Sequence, residues 1–174
     1  MAMRQLEPRQ SDPAEPTSSR TALGGRQREY LLPGQLHVSA DPCQIRTILD
    51  SCVAICLWDS HQHIGGMNHF LLPASRAGHP ATTRFADVAT KTLLDKLRAL
   101  GCRVPHLQAK IFGGSSMFQK QGHRAVSLGA QNVAVAIELM SGAGIPVVVQ
   151  ETGGTRGRKI MMNSDDGVVW CQRI

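Results

Sequence analysis

The chain has 174 residues, of which 42% are hydrophobic and 4% aromatic, and this length is enough to bury the core of one domain. Its apolar runs are far shorter than the roughly 20 residues that cross a bilayer, and its start is polar, so we expect neither a membrane span nor a secretory signal. The five cysteines are an odd number, which argues against a disulfide framework and favours a reducing, cytoplasmic location.

The net charge of +6 would suit either an acidic protein partner or a nucleic acid. Single-stranded nucleic acid is usually held by aromatic side chains interleaved with basic ones, and the aromatic residues of this chain are scattered. We therefore expect a protein partner and no nucleic acid.

The first 25 residues predict a disordered tail. They contain Pro8, Pro13 and Pro16 among polar residues, with almost no bulky apolar side chain to bury. From residue 26 the pattern changes to short apolar runs separated by glycine, without an internal repeat. We therefore predict one folded domain over residues 26–174.

Within this domain, the pattern predicts a mixture of strands and two main helices. Apolar residues at helical spacing run from Phe85 to Leu100 and from Val133 to Met140, and each run stops near glycine. A turn is predicted at residues 164–167. The predicted strands cover residues 36–40, 47–57, 66–72, 107–112, 146–150, 159–163 and 168–173. This order predicts an α/β (α+β) single domain, whose mixed, largely antiparallel sheet carries two main helices.

A cysteine and a histidine in this pattern can be brought together by a hairpin. If residues 52–58 form a strand and residues 65–72 return antiparallel, a two-residue loop centred on Ser60 and His61 places Cys52 opposite His69. Directly opposed residues have Cβ atoms about 4.5 to 5.5 Å apart, so the imidazole could convert the thiol to a nucleophilic thiolate. A slip of one residue would send the two side chains to opposite faces.

The same residues have simpler interpretations, and spacing alone leaves both open. Cys52 can be a small buried hydrophobic residue, and His69 a hydrogen-bonded core histidine. Thr47 could fix the imidazole ring by accepting its second N–H, although threonine is also common in strands because it is β-branched.

A metal site is the other interpretation, because five metal-ligating side chains lie within eighteen positions: Cys52, Cys56, His61, His63 and His69. On a strand, however, the two cysteines would lie about 13 Å apart, and no distant pair of ligands mirrors them. We therefore expect no metal. The glycine loops at residues 113–114 and 153–154 lack a nucleotide-binding spacing and predict tight turns.

Five segments stand in a distinctive order and spacing: TILDSCVAICLWD at 47–59, IGGMNHFLLP at 64–73, AKIFGG at 109–114, GAQNV at 129–133 and TGGTRGRK at 152–159. In this order they closely resemble the chemoreceptor glutamine deamidases of the CheD family. The resemblance runs from about residue 30 to the end of the chain.

The resemblance implies a cytoplasmic bacterial chemotaxis protein. It implies that the protein converts glutamine side chains of methyl-accepting chemotaxis receptors to glutamate through a cysteine thioester, which creates methylation sites. No metal or organic cofactor is implied, and the expected fold is similar to the catalytic fold of the cytotoxic necrotizing factor toxins. The catalytic set of the family falls on Cys52, His69 and Thr47.

One departure from the family bears on activity. The family normally has glycine before its Ser-Cys pair, whereas this chain has Asp50. A carboxylate there is expected to oppose thiolate formation at Cys52. This keeps an alternative function open, a non-catalytic chemotaxis adaptor that binds receptors or a CheC-like phosphatase. Some family members bind that phosphatase through a C-terminal extension that does not follow Ile174 in this sequence, so the phosphatase is a candidate partner only.

Overall fold

A computed structural model describes residues 4–5, 25–75, 80–116 and 126–174. Most of the segment 1–25, which we predict to be disordered, lies outside these described residues. Its short piece Arg4–Gln5 pairs with the last strand of the chain. Within the described ranges, no helix is long and apolar enough to cross a membrane.

The described residues form ten strands and two α-helices. A single turn of 3-10 helix, Val104–His106, precedes the seventh strand. In chain order the elements are β1 Arg4–Gln5, β2 Gln27–Tyr30, β3 Leu36–Ser39, β4 Cys43–Leu49, β5 Val53–Asp59, β6 Ile64–Asn68, α1 Ala86–Ala99, β7 Leu107–Gly113, α2 Leu128–Gly142, β8 Val147–Thr152, β9 Arg158–Asn163 and β10 Val169–Arg173. Both predicted helices are confirmed, and β9 and β10 form the predicted hairpin.

The strands are divided between two five-stranded sheets. Sheet I has the order β1-β10-β9-β4-β2, and sheet II has the order β3-β6-β5-β7-β8. Among the described pairs, only β2–β4 and β7–β8 are parallel. The predicted α/β (α+β) fold with largely antiparallel strands and two main helices is therefore confirmed, with two sheets in place of one.

Strand β5 is buried on both faces and contributes to two hydrophobic cores. Val53, Ile55 and Leu57 point into a core that sheet II shares with α1 and α2. The alternate residues Ala54 and Cys56 point into a second core between the two sheets, which we call the inter-sheet core. Successive side chains of a strand point to opposite faces, so the protein has three layers: helices, sheet II and sheet I.

The predicted strand 47–57 is wrong as a single element. Strand β4 ends at Leu49 in sheet I, and β5 begins at Val53 in sheet II. Residues 50–52, which we call the elbow, carry the chain from one sheet to the other. The burial pattern alternates in β4 and becomes continuous in β5, and the polar pair Asp50 and Ser51 lies at the break. The predicted strand ran through this pair, whereas a chain that changes sheets has to bend at the corner.

The predicted hairpin register is also wrong, by two residues. Asp59 pairs with Ile64, and four residues rather than two connect β5 to β6. The Asp59 carboxylate lengthens this turn, because its Oδ1 accepts the backbone N–H groups of His61 and Gln62 at 2.8 and 2.9 Å. A shift of two residues preserves the face to which each side chain points.

Candidate active site

His69 follows directly after β6, and its main chain is held by the connection between β2 and β3. Its carbonyl oxygen accepts the Gly34 N–H at 2.7 Å, and its own N–H donates to the Gln35 carbonyl at 2.9 Å. The residue is 1% exposed. The imidazole therefore has a fixed position between the two sheets.

Thr47 determines which nitrogen of His69 carries the proton. The Thr47 hydroxyl donates to the carbonyl oxygen of Leu31 at 2.8 Å, and its Oγ1 lies 2.8 Å from Nδ1 of His69. A hydroxyl has one hydrogen, so towards the ring Oγ1 accepts a hydrogen bond and Nδ1 is the donor. In neutral His69, Nε2 then keeps its lone pair, and this atom is buried without a hydrogen-bond partner in the described part of the chain.

Burial keeps His69 neutral. Desolvation lowers its pKa from 6.5 to about 4, and the Leu31 carbonyl opposes this shift only in part. At neutral pH the ring is therefore an unprotonated base whose free nitrogen is Nε2. The contact that the sequence suggested between Thr47 and His69 is present in the structure.

Cys52 lies in the elbow and is half-buried. Burial raises the pKa of its thiol, and the charge of Asp50 raises that pKa further, whereas the backbone N–H of Cys52 lowers it by hydrogen bonding to the sulfur. At rest the thiol is therefore protonated at neutral pH. This confirms the expected direction of the Asp50 effect on the thiol.

Cys52 and His69 are near neighbours but do not form a hydrogen bond. Their following residues, Val53 and Phe70, pair by two backbone hydrogen bonds of 3.1 and 3.0 Å. Leu71 is thus in register with Cys52, and His69 is diagonal to Cys52 across that pair. The structure brings Thr47 to His69 and places Cys52 at the diagonal position without a hydrogen bond between them.

The elbow is held from one side by the loop that follows β7. Gly114 N–H donates to the Cys52 carbonyl, and Ser115 N–H donates to the Asp50 carbonyl, both at 2.8 Å. Gly113 has a φ of 107°, and a Cβ at this position would lie 2.2 Å from the Cys52 carbonyl oxygen. Gly113 is the last residue of β7 rather than part of the predicted tight turn, and its backbone has to approach Cys52 closely.

Asp50 itself is exposed, and it is tied to the same loop. Its Oδ1 accepts a short hydrogen bond of 2.5 Å from the Ser115 hydroxyl. The carboxylate is therefore held near the thiol while it remains accessible to water, which screens its charge.

Asn132 contacts both halves of the site, although its place in the segment GAQNV predicted no role for it. Its amide nitrogen donates to the Ser51 carbonyl at 3.0 Å and to the Leu71 carbonyl at 2.8 Å. The side chain is wholly buried on α2, between the buried residues Gly129 and Ala136. A buried amide at helical spacing in a small, apolar face was the signal in the sequence that could have identified it.

The remaining ligand-type residues of the sequence lie apart from this site. Cys56 is buried in the inter-sheet core, where burial raises the pKa of its thiol far above the usual range. His61 and His63 are exposed on the turn between β5 and β6, where His61 stacks on His106 with ring centroids 3.8 Å apart. No group of three or more metal-ligating side chains occurs within the described ranges.

A groove of about 560 Å³ lies beside the elbow. One wall is formed by α2 and the other by the loop that follows β8. Its floor includes Gly114, the residue whose N–H holds the Cys52 carbonyl. The side chains that line it are mostly small, and its contact with the elbow is indirect, through Gly114.

Comparison with known proteins places this site in a family. The family model described as CheD chemotactic sensory transduction matches residues 71–173. A protein of Trichlorobacter lovleyi named as a probable chemoreceptor glutamine deamidase CheD is 42% identical to this chain, over 83% of this chain and 89% of that protein. A protein of Anaeromyxobacter dehalogenans with the name probable chemoreceptor glutamine deamidase CheD 1 is also 42% identical, over 94% of this chain and 95% of that protein. The chemoreceptor glutamine deamidase CheD of Thermotoga maritima is 35% identical, over 81% of this chain and 88% of that protein.

The family model begins after His69, so it does not cover the candidate site. Whether the relatives match the site depends on how much of this chain each of them matches. A similarity over 94% of this chain can omit only short stretches at its ends, and it therefore includes Thr47, Cys52 and His69. The similarity to these relatives therefore spans the folded domain, including the positions of the candidate site. The chain belongs to the CheD family.

Proposed function

We propose that this protein deamidates glutamine side chains of methyl-accepting chemotaxis receptors to glutamate in the cytoplasm, and so creates methylation sites. The observation that carries the proposal is the neutral His69 with its free Nε2, oriented by Thr47 next to the elbow that holds Cys52. The relatives, which are named as chemoreceptor glutamine deamidases, supply the substrate class.

In the first half-reaction, Cys52 is the nucleophile and His69 the base. Nε2 of His69 takes the thiol proton while Sγ forms a bond to the side-chain carbonyl carbon of glutamine, whose oxygen becomes an oxyanion. The imidazolium then donates this proton to the amide nitrogen as the carbon–nitrogen bond breaks. Ammonia leaves, and a thioester remains on Cys52.

The second half-reaction uses the same imidazole. His69 removes a proton from water, and the resulting nucleophile attacks the thioester carbon. The carbon–sulfur bond breaks, the thiol regains the proton, and the glutamate product is released. Thr47 serves both halves because it holds the ring with Nε2 free.

The pKa values favour a mechanism in which the Cys52 thiol proton moves to His69 while the sulfur attacks. They disfavour a thiolate–imidazolium pair in the resting enzyme. The Cys52 pKa is raised and the His69 pKa is lowered, so the neutral thiol and neutral imidazole are the stable pair at neutral pH. Catalytic hydrogen bonds are often long in a free enzyme and shorten when substrate binds. We propose that the substrate brings the elbow and His69 together.

The test is incubation with the cytoplasmic fragment of a chemotaxis receptor, followed by mass spectrometry. Each conversion replaces an amide NH2 by OH, which gives a small and defined mass gain. We expect Cys52→Ala to abolish the gain and Cys56→Ala to retain most of it, because Cys56 is buried away from the site. Equal loss in both variants, at unchanged melting temperature, would contradict the assignment of Cys52.

The second candidate function is an adaptor that binds receptors or a CheC-like phosphatase without turnover. It is favoured by the raised pKa of Cys52, to which Asp50 contributes. The same experiment separates the two functions. Retained binding of the receptor fragment without a mass gain would favour the adaptor.

A further inference from the structure

Asn132 joins the two catalytic segments by a single amide group. Both partners of Nδ2, the carbonyl oxygens of Ser51 and Leu71, can only accept hydrogen bonds, so the amide orientation is defined. Ser51 precedes the proposed nucleophile, and Leu71 lies two residues after the proposed base. The residue is 0% exposed, so these bonds are shielded from water.

The bond to Ser51 also sets the direction of the next N–H group. The Ser51–Cys52 peptide is trans, and in a planar trans peptide the carbonyl and the N–H point in opposite directions. Because the Ser51 carbonyl points to Asn132 on α2, the Cys52 N–H points away from that helix. This N–H belongs to the proposed nucleophile itself, and a backbone donor beside the carbon that Sγ attacks is what an oxyanion requires.

We propose that Asn132 is a positioning residue that fixes the Cys52 N–H as an oxyanion donor. This inference rests on the proposed deamidase function. Through its second bond, to Leu71, Asn132 holds that donor at a constant distance from the strand end that carries His69. Asn132 acts on the reaction only through these two carbonyl groups.

Two reactions of the same thiol separate this role from general stabilisation. Deamidation passes through an oxyanion, whereas alkylation of Cys52 by iodoacetamide occurs at a saturated carbon and builds no charge on a carbonyl oxygen. Loss of one oxyanion donor typically lowers kcat by about 10²- to 10³-fold. For Asn132→Ala we expect a fall in kcat of that order with a nearly unchanged KM, and an alkylation rate within about threefold of wild type.

The matched control is Asn163→Ala. Asn163 is also a buried asparagine, 2% exposed, and its amide donates to Asp166 at the end of β9 remote from the elbow. Its replacement is expected to lower the melting temperature by a similar amount without lowering kcat. Because Asn132→Ala leaves a cavity, Asn132→Asp is the second variant: it keeps the side-chain volume but replaces the donor by an acceptor, and the same loss of kcat is expected.

Three outcomes would overturn the proposal. A folded Asn132→Ala variant with kcat within about threefold of wild type would show that the Cys52 N–H needs no such support. A parallel fall in deamidation and alkylation would show that Asn132 places the thiol rather than the N–H. An equal fall in kcat for Asn163→Ala would show that the fall in kcat of Asn132→Ala results from lost stability alone. Absence of deamidation by the wild-type protein is a different result, which refutes the proposed function itself.

Discussion

Thr47 Oγ1 and His69 Nδ1 lie 2.8 Å apart across the boundary between the two sheets, and the Leu31 carbonyl fixes the polarity of the hydrogen bond that joins them. Thr47 belongs to β4 in sheet I, whereas His69 follows β6 in sheet II. The protonation pattern of the imidazole therefore depends on how the sheets are stacked. A change in either sheet that moves Thr47 or His69 would therefore alter which nitrogen of the imidazole carries the proton.

Replacing Thr47 tests whether this contact supports the reaction. Thr47→Val keeps the shape but removes the acceptor for Nδ1–H, so the ring can rotate or change tautomer. We expect kcat for receptor deamidation to fall at least about tenfold, since loss of the orienting residue in a Ser-His-Asp triad costs much more. Thr47→Ser keeps the hydroxyl and is expected to retain most of the activity. Equal activity of both variants would show that the hydroxyl has no catalytic role.

Asp50 can be tested by the reactivity of the thiol. Asp50→Asn removes the charge while it keeps the side-chain shape, so the Cys52 pKa should fall and alkylation by iodoacetamide near neutral pH should become faster. We expect about a two- to fivefold increase, because an exposed charge contributes roughly 1 kcal/mol or less. Asp50→Gly should act in the same direction.

The control for Asp50 is Ser115→Ala, which removes the hydrogen bond to the carboxylate but keeps its charge. It should change the alkylation rate less than Asp50→Asn does, because the charge two residues before Cys52 remains. The effect of Asp50→Asn should also shrink at high salt, because the exposed charge is screened. An unchanged rate in Asp50→Asn at low salt would mean that the carboxylate does not influence the thiol.

The lowered pKa of His69 predicts that the protein loses stability in acid. Its pKa is about 4 in the folded state and ordinarily 6.5, so the unfolded state binds the extra proton between these two values. The free energy of unfolding should therefore decrease as the pH falls from 6.5 to about 4, by about 1.4 kcal/mol for each pKa unit. The total is on the order of 3 kcal/mol, and no penalty is expected above pH 6.5.

Urea unfolding at pH 7 and pH 4.5 measures this effect. The matched variant is His69→Gln, whose side chain does not titrate but keeps a similar volume. We expect the stability difference between the two pH values to be smaller in His69→Gln by about 2 to 3 kcal/mol. The same pH dependence in both proteins would assign the acid sensitivity to other groups.

Replacing Gly113 tests whether the end of β7 must lie this close to the elbow. A Cβ in Gly113→Ala would lie 2.2 Å from the Cys52 carbonyl oxygen, so either the elbow or the loop after β7 has to move. We expect a loss of stability above about 3 kcal/mol and a loss of deamidation, because clash adds to backbone strain.

Gly101→Ala is the matched control for Gly113→Ala. Gly101 also has a positive φ, of 89°, but its Cβ would meet no atom within 4 Å. Only the backbone strain remains, which costs roughly 1 to 2 kcal/mol, and activity should be retained. A similar loss of activity in both variants would show that the contact with Cys52 is not the cause.

The sequence by itself determined the chemical groups of the site and the class of the fold. Glycine limits and helical spacing identified both helices, and the resemblance to the CheD family indicated Cys52, His69 and Thr47 as the candidate catalytic set. These features are local, because they depend on backbone propensity and on side chains within a few positions of each other. The order of the five segments also identified the CheD family.

Only the tertiary structure decided how those groups are arranged. The break at residues 50–52 was missed because the predicted strand ran through the polar pair Asp50 and Ser51, and a local pattern does not show that β4 and β5 belong to different sheets. The register of β5 and β6 depended on hydrogen bonds that the Asp59 side chain makes within the turn. Neither feature has a period that a sequence pattern can reveal.

The hydrogen bonds of His69 and of Asn132 were decided in the same way. Leu31 and Thr47 lie 16 residues apart, and Asn132 lies 81 residues from Ser51, yet their hydrogen bonds define the base and the elbow. A hydrogen bond depends on direction and on distances of a few tenths of an ångström, which only the packed chain fixes. The sequence therefore determined which groups can react, and the stacking of two sheets and a helix decided how they are oriented.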